Sequence, residues 1–172
     1  PSASNNNYVM LDWLCKNYEG ENQVSFGMTT LAEEEKIVDL FEKNGRNRDL
    51  TILNCVSGYP VPFEDVSLLE LKRMKEQYGG RVKKIGFSGH HLGIAVDIAA
   101  YALGAEVFER HYTLDSTWKV TDHAASMEPD GMRRLVRDFD AVYRAMTMKK
   151  QEILPIEQEQ RDKLKYHNTE QG

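Results

Sequence analysis

Two short segments hold the side chains with the greatest capacity for chemistry. His90 and His91 follow one apolar run, and His111 follows the next one along the chain. Imidazole is the commonest protein ligand for Mn, Zn or Fe(II), and a carboxylate such as Asp115 or Asp122 would suit the same divalent ion. The alternative is that these histidines only cap the ends of strands.

Hydroxyl groups recur at comparable places. Ser25, Ser57 with Tyr59, and Ser88 each stand near the end of an apolar run. Ser88 could hold a phosphate or carboxylate at the start of the following helix, or could simply cap that helix. Asp122 and His123 lie in a long loop without a local structural role, and loops are where catalytic groups concentrate.

Alternating apolar patterns predict the elements that must position these groups. The strands are expected over 23–26, 50–56, 82–87 and 105–111, and the helices over 7–17, 30–44, 68–78, 92–103 and 132–146. Short connections between them imply βαβ units and a parallel sheet, whose ligands bind at the carboxyl ends of the strands. Composition does not distinguish a flavodoxin-like open sheet from half of a (β/α)8 barrel.

Three local patterns add detail to the helices. Thr30 with Glu33 forms a capping box that starts one helix, and Gly45 ends it. The first helix is indicated by the helical spacing of Val9, Met10, Trp13 and Leu14. The last strong helix carries an apolar stripe that core packing would explain, formed by Met132, Leu135, Val136, Phe139, Val142 and Met146.

Composition limits the class of protein. The chain has 172 residues, 41% of them hydrophobic, with 22 Lys+Arg against 27 Asp+Glu. These values are typical of a globular domain, and the acidic balance argues against nucleic-acid binding. Neither a signal peptide nor a membrane span is evident, so we expect a cytoplasmic protein that does not bind membranes. Cys15 and Cys55 form no metal or redox motif and are expected to be reduced, buried packing residues.

Four ordered segments resemble the sialic acid synthase family, which joins phosphoenolpyruvate to an N-acyl-hexosamine. They span 52–60 with 62–66, 86–90 with 92–94, 109–115, and 122–129. Residues 25–28 and 1–6 are similar to the family more weakly, and the resemblance covers about residues 1–148. The chain departs from the family at Gly89 and His91, where Asp and Thr are usual.

The resemblance implies an α/β fold, a partial TIM (β/α)8 barrel. Strands 5–8 and the end of strand 4 would form a domain over 1–148, followed by a charged tail over 149–172. A complete barrel usually needs about 250 residues, so the strands that carry an essential acid and a lysine that binds phosphoenolpyruvate would lie outside this chain. The small antifreeze-like domain that follows the barrel in the family would be absent as well. Activity from the 172 residues alone is therefore expected to be absent or very weak.

The resemblance also implies a site. The metal ligands would be His90 and His111, with Mn²⁺ as the expected ion and Mg²⁺ as a possible substitute. The phosphoenolpyruvate site would be lined by Ser25, Ser57 and Ser88. The catalytic residues would be Tyr59, facing the sugar, and Asp122, contacting the sugar near its reacting aldehyde.

Other functions remain open at this stage. A half-barrel exposes two strand edges and an apolar face, which would suit a non-catalytic module that binds a partner or self-associates. A homo-oligomer is expected in either case. A different metal-dependent lyase or aldolase would share the histidine pair, but it would need a Schiff-base lysine or more carboxylate ligands at strand ends. The sequence does not specify the acyl sugar.

Overall fold

Four parallel strands form the sheet that organises the chain. The computed structural model describes residues 1–117, 122 and 125–166; His123 lies outside the described residues. The strands are β1 (Asn22–Ser25), β2 (Leu50–Cys55), β3 (Lys84–Gly89) and β4 (Phe108–Arg110). Their order in the sheet is β1-β2-β3-β4, and every pairing is parallel. Sequential order is that of a barrel wall, whereas a flavodoxin-like sheet interleaves its strands.

Helices connect the strands and flank the sheet. They are α1 (Tyr8–Asn17), α2 (Leu31–Lys43), α3 (Glu70–Tyr78), α4 (Ala95–Ala102), α5 (Pro129–Ala145) and α6 (Pro155–Leu164). The capping box predicted at Thr30 and Glu33 is present. Gly45 follows α2 with a φ of 69°, the left-handed conformation that ends many helices.

Three of the elements whose boundaries differ from the predictions lie next to the polar strand ends. β3 begins and ends two residues later than expected, so Ser88 lies inside the strand rather than after it. α4 begins at Ala95 instead of residue 92, because Gly93 has a φ of 75° and the chain cannot yet be helical there. β4 is shorter than predicted, because the backbone N–H of Ala105 still bonds to the carbonyl of Ala100 at the end of α4.

The hydrophobic core lies between the sheet and α2, α3 and α4. Its fully buried members come from both layers and include Ile37, Val38, Phe41, Leu50, Ile52, Leu71 and Ala100. Strands buried on both faces are typical of parallel sheets, and every residue of β2 is buried. This packing fixes the strand ends that carry the polar groups.

The apolar stripes of the first and last long helices are buried only in part. Met10 and Leu14 pack against the core, and the ring of Phe139 packs against those of Tyr101 and Phe108. In α1 the buried residues are Leu11 and Cys15, while Val9 is 83% and Trp13 is 59% exposed. The reason is that α1 packs on α2 rather than under a second layer. In α5 only Leu135 is buried, because among the described helices and strands α4 is its main neighbour. Val136 is therefore 59% exposed.

Within residues 1–117, 122 and 125–166, no helix combines the length and the apolar character needed to cross a membrane. The tail predicted from residue 149 contains α6, and the Nζ atom of Lys149 lies 2.8 Å from Oε1 of Glu157. The domain division at residue 148 stays a prediction.

Candidate active site

His90 and His111 meet at the carboxyl end of the sheet. His90 directly follows β3 and His111 directly follows β4. Because Gly89 is paired with Arg110 in the parallel register, the next residue of each strand extends to the same place. The two ring centroids are 5.2 Å apart. The fold thus brings together the two histidines that the sequence placed on successive strands.

One nitrogen of His90 is engaged by the backbone. Nδ1 lies 3.0 Å from the carbonyl oxygen of Val56 and 3.9 Å from Sγ of Cys55. Burial alone would lower the pKa of His90, but the hydrogen bonds to Cys55 and Val56 outweigh it and leave this pKa above its usual value. An Nδ1–H donated to a carbonyl leaves Nε2 for a metal, which is the usual orientation of metal-bound histidine.

Cys55 belongs to this site as well as to the core. It is a free, buried cysteine, as predicted, but its Sγ contacts His90 and lies 3.6 Å from Oγ of Ser2. Burial raises the pKa of Cys55, but the hydrogen bonds with His90, Ser2 and Ser88 together lower it by more. The net result is a pKa of about 7, below the usual value for a thiol. The prediction of a mere packing residue therefore missed a polar role. Cys15, also free and buried, has its pKa raised by burial.

Tyr59 packs against both histidines. Its ring centroid is 4.6 Å from that of His90 and 5.5 Å from that of His111, with an edge-to-face angle in each case. The side chain is half exposed, in the loop after β2. Burial, reinforced by the nearby negative charges of Cys55 and Asp122, raises the pKa of Tyr59. The phenol therefore stays protonated and can donate a hydrogen bond at neutral pH.

Two carboxylates were candidates for the neighbourhood of His111, and the structure places them differently. Oδ2 of Asp122 lies 3.8 Å from Nδ1 of His111. Asp115 instead accepts hydrogen bonds at Oδ1 from the backbone N–H and the hydroxyl of Thr117, at 2.8 and 2.7 Å. Asp122 is therefore the carboxylate beside the histidine pair, and Asp115 holds its own loop.

Three serines surround the strand ends. Ser25 is the last residue of β1, Ser57 follows β2, and Ser88 lies within β3. Among the described residues, the buried hydroxyls of Ser25 and Ser57 have no hydrogen-bond partner, whereas Ser88 donates to Oε1 of Glu109 at 2.8 Å. A buried hydroxyl without a partner is costly, so two of them at the ends of neighbouring strands favour a polar ligand.

Gly27 allows the hydroxyls to approach the backbone. A Cβ at this position would lie 2.3 Å from Oγ of Ser57, 2.5 Å from Oγ of Ser2 and 2.9 Å from Sγ of Cys55. Real Cβ atoms essentially never come this close to a neighbour, so a side chain at residue 27 would force Ser57, Ser2 and Cys55 to move. The backbone N–H of Gly27 donates to Oγ of Ser2 at 3.0 Å.

Sequence reasoning missed three polar residues at this site. Ser2 contacts Gly27 and Cys55, and Nδ2 of the buried Asn5 donates to the carbonyl of Ser25 at 2.8 Å. Glu109 accepts the hydrogen bond from Ser88. The weak family likeness of residues 1–6 was the available signal for the first two, and the motif over 109–115 was the signal for the third.

The described residues bring together two candidate ligands for a divalent ion. Among the described residues, no three His, Cys, Asp or Glu side chains converge closely enough to hold an ion. Two imidazoles do converge, and the ring of His90 is oriented as a ligand. Catalytic metal sites commonly have three protein ligands and one open position, so this pair supplies two of the ligands that such a site uses.

Comparison with known proteins connects this geometry to a family. The model of the NeuB family matches residues 1–151. N-acetylneuraminate-9-phosphate synthase of Homo sapiens is 37% identical over 164 residues, which are 95% of this chain and 44% of that protein. N,N'-diacetyllegionaminic acid synthase of Campylobacter jejuni is 37% identical over 124 residues, 72% of this chain and 36% of that protein.

A solved structure agrees with the fold. The N-acetylneuraminic acid synthetase of Leptospira borgpetersenii superposes with a TM-score of 0.80 at 30% identity, over 96% of this chain and 57% of that one. The prediction of a partial barrel is confirmed. The chain spans less than half the length of the curated relatives that it matches. Both the family resemblance and the sheet lead to one conclusion: the chain belongs to the NeuB family.

Proposed function

We propose that this chain supplies the metal-binding half of an enzyme that condenses phosphoenolpyruvate with an N-acyl-hexosamine of the N-acetylmannosamine type. The products are a nonulosonic acid and phosphate. The observation that supports the proposal best is the meeting of His90, His111 and Tyr59 at the strand ends beside two unpaired buried hydroxyls. The relatives of this chain include synthases of N-acetylneuraminate 9-phosphate and of diacetyllegionaminic acid.

The reaction forms one carbon–carbon bond. C3 of phosphoenolpyruvate attacks the aldehyde carbon of the open-chain sugar, and the aldehyde oxygen takes a proton. Water adds at C2, and phosphate leaves from the same carbon. When bound at His90 and His111, Mn²⁺ or Mg²⁺ supplies Lewis-acid activation of the aldehyde.

Each proposed site residue has a role that its surroundings support. Ser25 and Ser57 offer unpaired hydroxyls to the anionic groups of phosphoenolpyruvate, and Ser88 in β3 donates to Glu109. Tyr59 packs edge-to-face against the histidine pair and offers a phenol to the sugar. Asp122, 3.8 Å from His111, contacts the sugar near the aldehyde oxygen and holds the imidazole of His111 in place. Positioning two substrates in this way supplies much of the rate enhancement in bimolecular reactions.

Metal binding is the step that this chain can be tested for directly. Isothermal titration with Mn²⁺ should show one site, which His90→Ala and His111→Ala each abolish. His167→Ala is the matched control, because that histidine lies outside the region matched by the family model. Equal binding by all four proteins would contradict the proposed metal centre.

The phosphoenolpyruvate site needs its own measurement. In the presence of Mn²⁺, Ser25→Ala and Ser57→Ala should weaken binding of phosphoenolpyruvate, since each removes an unpaired hydroxyl. Ser116→Ala is the control, because that hydroxyl is exposed and bonds to Glu128. Unchanged affinity in both serine variants would refute this assignment.

A second function has one observation in its favour. Val136 and Tyr143 on α5 and Met146 directly after it are each more than half exposed, and within the described sheet β1 is paired on one edge only. This surface suits self-association of the chain. Light scattering that shows a monomer at high concentration would reject it.

A further inference from the structure

A buried polar cluster lies behind the histidine pair. It consists of His91, Asp97 and Arg110, and we name it the anchor cluster. The side chains of His91 and Asp97 are 0% exposed, and that of Arg110 is 4% exposed. Nη1 of Arg110 contacts the Asp97 carboxylate, and Nε2 of His91 lies 3.2 Å from Oδ2 of Asp97 and 3.0 Å from Nη1 of Arg110. Each member thus touches the other two.

The anchor cluster is adjacent in the chain to both histidines of the site. His91 directly follows His90, and Arg110 directly precedes His111. Nη2 of Arg110 donates to the carbonyl of His91 at 2.8 Å, and Nη1 donates to the carbonyl of Gly93 at 3.1 Å. The guanidinium therefore fastens the end of β4 to the backbone segment that follows β3.

Gly89 gives the cluster its space. A Cβ at Gly89 would lie 2.8 Å from the ring of Phe87, 2.9 Å from the ring of His91 and 3.1 Å from Cδ of Arg110. Gly89 is also the register partner of Arg110 across β3 and β4. The side chains of His91 and Arg110 therefore occupy space that a side chain at residue 89 would need.

Stability alone does not account for this arrangement. Nδ1 of His91, Oδ1 of Asp97 and Nε of Arg110 are buried without a hydrogen-bond partner among the described residues. A buried ion pair offsets its desolvation only when its hydrogen bonds are complete, and apolar replacements are often neutral or stabilising. The cluster is thus a poor stabilising device placed directly behind a candidate metal centre.

We propose that the anchor cluster positions His90 and His111 relative to one another. By joining the two strand ends through Arg110 and by seating His91 against Asp97, it sets the separation at which both imidazoles face one ion. The members are positioning residues, because the ligands are their chain neighbours. The inference rests on the proposed metal centre and adds the element that sets its geometry.

The test compares metal binding with stability. The double variant Asp97→Leu/Arg110→Met removes both charges, so no unpaired charge is buried and the chain is expected to fold. Arg110→Lys keeps the charge but cannot bond to the Asp97 carboxylate and the His91 carbonyl in the same forked geometry. Arg81→Gln is the control. Arg81 precedes β3, at the opposite end of that strand from His90, and it forms ion pairs with Glu35, Asp39 and Glu42.

The readouts are the Mn²⁺ affinity, the visible absorption spectrum of bound Co²⁺ and the thermal midpoint. The double variant should bind Mn²⁺ at least about tenfold more weakly, as loss of supporting contacts around metal ligands does. Its Co²⁺ spectrum should change while its thermal midpoint stays at or above that of the unaltered chain. The Mn²⁺ affinity of Arg110→Lys should lie between those of the double variant and the unaltered chain. Arg81→Gln should leave the Mn²⁺ affinity and the Co²⁺ spectrum unchanged.

Two results would overturn the proposal, and they are distinct. Mn²⁺ affinity within twofold of the unaltered chain, in a folded double variant or in Arg110→Lys, would remove the positioning role and leave the metal centre intact. Absence of Mn²⁺ binding by the unaltered chain would remove the metal centre and the positioning role together.

Discussion

His90 and His91 are neighbours in the chain, but they lie in two different regions of the molecule. His90, which is only 6% exposed, lies at the carboxyl end of the sheet, where Tyr59 and His111 pack against its ring. His91 is fully buried on the other side, against Asp97 and Arg110. Successive residues at a strand end point to opposite faces, so one step along the chain separates a candidate ligand from its support.

The difference lies in what each ring nitrogen contacts. Nδ1 of His90 bonds to a backbone carbonyl, which orients the ring and leaves Nε2 for a ligand. Nε2 of His91 is occupied by a buried carboxylate and a guanidinium. Two identical side chains therefore acquire different chemistry from their partners alone. Variants that act on one region and spare the other test this contrast.

The largest effect is expected in the buried region. Arg110→Met leaves the Asp97 carboxylate buried without its cation, which should lower the free energy of unfolding by about 3–5 kcal/mol. Urea denaturation measures this change. The matched control is Arg133→Met, which breaks an exposed pair with Asp130 and should cost less than about 1 kcal/mol. Equal losses in both variants would contradict the contrast.

A smaller loss is expected on the open side. Gly27→Ala introduces a Cβ among Ser2, Ser57 and Cys55, and overpacking of this kind costs about 1–3 kcal/mol. It should also weaken binding of phosphoenolpyruvate, because the hydroxyls must move apart. Gly80→Ala is the control, since no atom lies within 4 Å of a Cβ there. A thermal midpoint equal to that of the control would show that the cradle is not tight.

The smallest expected effect concerns the ionisation of the Cys55 thiol. In metal-free protein, alkylation of Cys55 by iodoacetamide should rise with pH through a midpoint near 7 and level off above it, because the thiolate reacts and the pKa of this thiol is about 7. Burial raises the pKa of Cys15, so its alkylation should require a higher pH. A Cys15→Ser variant isolates the Cys55 signal.

His90→Ala tests the cause of that midpoint. Burial alone raises the pKa of Cys55, and the hydrogen bond from His90 is the largest influence that lowers it. Removal of the imidazole should therefore shift the midpoint upward. A midpoint that stays near 7 in the variant would show that His90 does not set it.

Much of the scaffold could be predicted from local patterns. Four strands, their order along the chain and the capping box at Thr30 and Glu33 followed from hydrophobic period and cap chemistry. The side of α1 that is buried could not, because Val9 and Trp13 are exposed while Met10 and Leu14, at the same helical spacing, pack against the core. Spacing shows that a helix has an apolar side, and neighbours decide whether that side is buried.

The candidate site divides in the same way. Residue types and the family motifs were sufficient to select His90, His111, Tyr59 and Asp122, which the fold brings together. They gave no indication of Cys55 as a polar partner. That contact joins residues 35 positions apart, and only the pairing of β2 with β3 creates it.

The sequence by itself determined the family, the alternation of strands and helices, and the choice of two histidines, because motifs and periodicities are local properties of the chain. Only the tertiary structure decided that His90 faces the site while His91 lies in the anchor cluster, and that Gly89 must lack a side chain. The physical reason is that orientation and space at a strand end depend on the neighbouring strand and helix, here through Arg110 and Asp97.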